Sequence, residues 1–143
     1  MDIDILARAF TARTLPKAEW THHAHLRVGL WHVLRYPDGV ALDLLRLRIR
    51  SYNESTGVLN TSSGGYHETI TRFYVAVIRS FLDSVDAQRP TDELAQDLIA
   101  RFGDKDLPFR YYTRERLLSV EARLGWLPPD VEPLLVGGGI IKS

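Results

Sequence analysis

Cysteine is absent from the 143 residues. That excludes disulfides, iron–sulfur clusters, thiolate zinc sites and cysteine nucleophiles together, so a metal could be held only by His nitrogen and Asp or Glu oxygen. Charge of one sign is not in excess either: Lys plus Arg and Asp plus Glu number 18 each. The chain therefore lacks the electrostatic footprint of a nucleic-acid binder or of a protein drawn to an anionic membrane. No apolar run approaches the roughly 18 residues that would span a bilayer. The opening Met1-Asp2-Ile3-Asp4 is acidic and has neither the basic nor the apolar region of a signal peptide. A cytoplasmic protein with no nucleic-acid or membrane partner is expected. Motifs are missing too: no HExxH, no GxSxG, no His-Asp dipeptide, no GxxxxGK[ST] and no pair of Glu-x-x-His segments.

What is present is ordinary globular material, 45% apolar and 25% charged. A chain of this length buries roughly two thirds of its unfolded surface, enough for a core without staples. Helical periodicity recurs between well-marked breaks, and strand signals are scarce. The spacing predicts helices over residues 1–13, 22–36, 40–54, 66–85, 91–102 and 113–124. Thr21 and Thr91 are read as N-caps, and Gly103 and Gly125 as stops. In the third helix Asp43, Arg46 and Arg50 form a polar stripe, with Val40, Leu44 and Leu47 opposite and Arg48 projecting into the apolar side. The expected fold is all-α, a compact bundle of five or six helices. One domain covers residues 1–130, followed by a flexible tail over 131–143.

Four of the five histidines fall in the second helix. At about 100° per residue, His22 shares an arc with Leu26, Gly29 and Val33, and His25 lies about 60° away. His23 points to the edge of that face, and His32 lies two turns beyond His25. Gly29 would let another helix or a ligand come close. On the fourth helix His67 is central to a face with Ile70, Thr71, Tyr74 and Ile78. There the positive end of the helix should keep it neutral.

His22, His25 and His67 thus make a candidate metal set, since neutral imidazole is the commonest protein metal ligand. An N/O site suits one divalent transition metal: Zn, Fe, Mn, Ni or Cu. Glu68 is read either as a surface partner of Arg72 at i+4 or as a ligand or base. On the last helix Glu121 projects toward Leu117, Leu118 and Leu124, and either pairs with Arg114 or completes the site. Tyr66, Thr71 and Tyr74 are candidate substrate-binding residues. Residues 60–65, Asn-Thr-Ser-Ser-Gly-Gly, lead into a helix start whose free N–H groups could hold an anion.

Four segments carry a resemblance: Trp20-Thr21-His22-His23-Ala24-His25-Leu26-Arg27, Gly65-Tyr66-His67-Glu68-Thr69-Ile70-Thr71, Tyr112-Thr113-Arg114-Glu115-Arg116-Leu117 and Glu121-Ala122-Arg123-Leu124-Gly125-Trp126. The chain resembles, over roughly residues 15 to 130, a group of small all-helical bacterial proteins with HxxHLR, YHET and EARxGW segments. No activity comes with that likeness. It singles out His22, His25, His67 and Glu68, and to a lesser degree Arg123 and Trp126.

Three functions compete. The first is a metal-dependent enzyme acting on a small-molecule substrate. The second is a metal-free binding or acid/base site centred on His67. The third is a helical interaction module with structural histidines, for which the three tryptophans leave room for a homo-oligomer interface.

Overall fold

The computed structural model describes residues 1–136 and 139–140 and is all-helical apart from one short hairpin. Seven α-helices follow in order: α1 Ile3–Thr11, α2 His22–Arg35, α3 Asp38–Ser55, α4 Glu68–Asp83, α5 Thr91–Phe102, α6 Arg114–Leu117 and α7 Val120–Leu124. Five of them are long and make the expected bundle. Single 3₁₀ turns occupy Lys17–Glu19 and Leu107–Arg110. Two-residue strands, β1 Leu135–Val136 and β2 Gly139–Ile140, pair antiparallel. Among the described residues no helix is long and apolar enough to cross a membrane.

Local chemistry sets the starts. Asp2 accepts from Ile5 N–H to open α1, and Thr21 accepts from Ala24 N–H to open α2, as its position suggests. Pro37 and Pro90 stand just before α3 and α5, where a missing N–H costs nothing. Helix α3 starts at Asp38, two residues before its expected start, so only Tyr36 and Pro37 separate it from α2.

Helix α2 packs against α1, α3, α4 and α5, and α4 packs against α2, α3, α7 and β1. Apolar residues on opposite sides of α4 enter two separate cores. Val75, Ile78, Phe81 and Leu82 join the main core with α1, α2, α3 and α5, whereas Phe73 and Val77 join Leu107, Tyr112, Leu117 and Leu134 in a second. Burying a side chain of this size contributes about 1.5–3 kcal/mol.

Three expectations need correction. Helix α3 buries Ala41, Leu45 and Tyr52, while Val40 and Leu47 are exposed; apolar residues are spread around this helix, so its core face differs from the predicted stripe. The predicted helix over residues 113–124 is broken at Leu118, because Ser119 caps a new start by accepting from Ala122 N–H. Of the supposed tail, Val131 N–H donates to the Tyr111 carbonyl and Leu134 is buried in the second core. Residues 137, 138 and 141–143, also in the stretch expected to be flexible, lie outside the described residues.

Candidate functional site

A cavity of about 290 Å³ opens between α2, α3 and α4. Leu26, Val28, Leu45, Ile49, Ile70, Val75 and Ile78 give it apolar walls, and Trp20 closes one side. Its polar residues are His22, His25, Thr71 and Tyr74. Gly29 shapes the wall: a Cβ there would stand 2.9 Å from Ile78 Cδ1, so its absence allows α2 and α4 to approach.

Three buried side-chain polar atoms among the described residues have no hydrogen-bond partner: His22 Nε2, Tyr74 Oη and Trp126 Nε1. Two of the three belong to cavity residues, and the His22 and Tyr74 rings meet edge-on with centroids 5.7 Å apart. Buried polar groups are nearly always paired, because an unpaired one costs on the order of 1–3 kcal/mol. Burial lowers the His22 pKa, assisted by His23 and opposed by Asp104, so its ring is neutral at pH 7. Burial raises the Tyr74 pKa, and Asp104 and Asp106 push it the same way, so its hydroxyl keeps its proton.

His25 stacks on Trp20 with ring centroids 3.7 Å apart, and its outer edge is open to solvent. Its Nδ1–H donates to the Thr21 carbonyl at 2.6 Å, which leaves the lone pair on Nε2. Desolvation of the stacked face lowers its pKa against the opposing pull of that bond.

His67 stands elsewhere. It is the N-cap of α4 rather than a first-turn residue, and its Nδ1 accepts from Ile70 N–H at 3.1 Å. Its Nε2–H donates to the Leu117 carbonyl at 2.8 Å, so both ring nitrogens are used. Burial lowers its pKa, Leu117 opposes this, and Arg123 adds to it. Among the described residues no group of three His, Asp or Glu side chains is placed to hold a metal ion. Only His22 and His25 of the candidate metal set share the cavity.

Glu68 is buried, only 8% exposed, and does not pair with Arg72. Arg46 on α3 grips it, donating from Nε to both carboxylate oxygens and from Nη2 to Oε2, and Tyr66 Oη–H donates to Oε1 at 2.8 Å. Burial pushes the Glu68 pKa up, but the Arg46 and Tyr66 bonds outweigh it and hold the carboxyl below its ordinary value. Tyr66 is thus committed to Glu68 and lies outside the cavity. Thr71 and Tyr74 do line it, although the Thr71 hydroxyl is held by the His67 carbonyl. Glu121 is exposed on α7, is not among the residues lining the cavity, and has no ion pair with Arg114 among the described residues.

The loop before α4 turns several of its N–H groups onto the chain itself: Thr61 N–H donates to the Gly64 carbonyl and Ser63 N–H to Thr61 Oγ1. Asn60 Oδ1 accepts from Tyr66 N–H, Asn60 Nδ2 donates to the Arg50 carbonyl, and Arg123 Nη1 donates to the Gly65 carbonyl. Gly65 has φ +77°, and a Cβ there would lie 2.5 Å from the Leu59 carbonyl oxygen. Sequence reasoning missed a further pair. His32 is fully buried, its Nδ1–H donates to the Val28 carbonyl, and its Nε2 accepts from Arg48 Nη1 at 2.9 Å. The inward projection of Arg48 was the available signal.

Comparison with protein-family models, with curated proteins and with solved structures finds no match.

Proposed function

We propose that this protein binds a small, mostly apolar molecule in the cavity between α2, α3 and α4, with the molecule's one polar end at His22 and Tyr74. The observation that carries the reading is the pair of unpartnered polar atoms, His22 Nε2 and Tyr74 Oη, on residues of a mostly apolar cavity. Pockets that take small molecules have this character, apolar walls with a few placed polar groups. In volume the cavity is about twice the roughly 150 Å³ that accepts benzene. One ring with a short chain suits it.

The test is protein-observed NMR with 2-phenylethanol and ethylbenzene, in the wild type and in Ile49→Trp, which places an indole in the cavity. At about 0.3–0.5 kcal/mol per non-hydrogen atom the expected Kd of 2-phenylethanol is in the millimolar range. Shifts should concentrate on α2 and α4 and vanish in the filled variant. Absence of any cavity-directed shift with either probe overturns the reading.

A second reading has one specific support. The His25 Nδ1–H bond to Thr21 is the arrangement that orients an imidazole Nε2 toward a metal. An ion on His22 and His25 would need its remaining donors from the ligand or from water, because His67 is committed to Ile70 and Leu117. Titration with Co(II), followed by its visible absorption in wild type and in His25→Gln, tests this. A stoichiometric spectrum lost in the variant would favour a metal site on His22 and His25, and its absence would sink this reading.

A further inference from the structure

We infer that the cavity selects an uncharged ligand with a hydroxyl head group, an alcohol or phenol, and rejects carboxylates. This rests on the cavity reading above and specifies its ligand class.

The argument starts from charge. No Lys or Arg lines the cavity, so a carboxylate drawn into it would leave water without a cationic partner. Burying an isolated carboxylate is far more costly than burying a neutral polar group. The neighbouring field has the wrong sign for an anion as well. Asp104 acts on both His22 and Tyr74, and Asp106 acts on Tyr74. Both aspartates sit in the loop between α5 and the 3₁₀ turn Leu107–Arg110, exposed to solvent.

Hydrogen-bond valence then narrows the class. A neutral imidazole presents one nitrogen as acceptor and one as donor, and a phenol can both give and take. When Nε2 of His22 carries the lone pair, a ligand hydroxyl donates to it and accepts from Tyr74 Oη–H. The two rings meet edge-on with centroids 5.7 Å apart, and one ligand oxygen placed at that edge would serve both atoms. A ketone can only accept, so in that tautomer it leaves His22 Nε2 unpaired. An ammonium can only donate, and gives up its hydration shell on entering apolar walls. Of these groups the hydroxyl alone meets both needs in either tautomer of His22 without carrying charge inside.

The test compares four molecules that share one ring and a two-carbon chain: 2-phenylethanol, 2-phenylethylamine, phenylacetate and ethylbenzene, titrated at pH 7.5 by protein-observed NMR. The alcohol should bind about 5-fold tighter than ethylbenzene, the yield of about one net hydrogen bond, and at least 10-fold tighter than phenylacetate. In Tyr74→Phe and in His22→Phe the preference for the alcohol over ethylbenzene should shrink to within about 2-fold, with ethylbenzene affinity retained. That retention shows that the variant still folds around the cavity. Phenylacetate or the amine binding as tightly as the alcohol overturns the inference while leaving the cavity reading intact. An alcohol preference unchanged in both variants also overturns it. No binding by any of the four overturns both.

Discussion

His67 donates from Nε2 to the carbonyl of Leu117, 2.8 Å away and 50 residues further along the chain. The same ring caps α4 through Ile70 N–H, so one side chain starts a central helix and ties it to α6. Substitution His67→Ala removes the cap and leaves the Leu117 carbonyl short of a donor, at an expected cost of about 2–3 kcal/mol. His67→Asn, which still caps, should recover about 1 kcal/mol of that loss. Urea denaturation of the three proteins checks the order.

Glu68 holds Arg46 and Tyr66 together. Glu68→Ala strands both partners and should cost about 3 kcal/mol, whereas Tyr66→Phe should cost about 1 kcal/mol. The Arg46 side chain is 35% exposed, so its coupling to Glu68 in a double-mutant cycle should stay at about 1–2 kcal/mol. Coupling near zero would show the bond to be incidental.

The buried His32 ring makes stability sensitive to acid. Its pKa is lowered to about 4, chiefly by burial and further by Arg48 and Arg35, against the opposing bond to Val28. Unfolded, the ring titrates near 6.5. The unfolded chain therefore takes up a proton that the folded chain refuses, and stability falls as pH drops from about 6.5 toward 4. From pH 7 to pH 5 the loss from His32 should be about 2 kcal/mol. His22 and His67 shift in the same direction, so the observed slope exceeds one proton. In His32→Gln, whose side-chain carbonyl can still accept from Arg48, the slope of unfolding free energy against pH should drop by about one proton. An unchanged slope would mean that His32 does not titrate on unfolding.

Gly29 separates folding from binding. Replacing it with Ala gains up to about 1 kcal/mol of helix propensity, but the new Cβ forces Ile78 Cδ1 aside into a wall that faces the cavity. The variant should melt within a few degrees of wild type, yet bind 2-phenylethanol several-fold more weakly. Melting by circular dichroism and the NMR titration together check this.

Most of the fold was legible because caps and breaks are local. Thr21 and Gly103 mark their boundaries with neighbours only a few residues away, whereas the N-cap of α5 is Pro90, one residue before the expected Thr91. The face of α3 was not legible, because Val40, Leu44 and Leu47 are apolar residues that point away from the core or to its margin. Ser119 was a cap hidden inside a helical pattern. For the site, the inward turn of His22 and the cavity role of Thr71 and Tyr74 could be read from projection. The partners of Glu68 and His32 could not, since Arg46 and Arg48 come from another helix and spacing along one chain segment is blind to them. The likeness that singled out His67 and Glu68 marked residues that are fully engaged in holding α4, α3 and α6 in place.

Two cores share α4 between them, Val75 and Ile78 on one side and Phe73 and Val77 on the other. The cavity wall belongs to the first side only. A helix clamped between two packed surfaces moves as a rod, so a molecule seated against Val75 and Ile78 damps motion on both sides. The amides of α7, which packs on α4 away from the cavity, should then exchange their hydrogens more slowly when the cavity is filled.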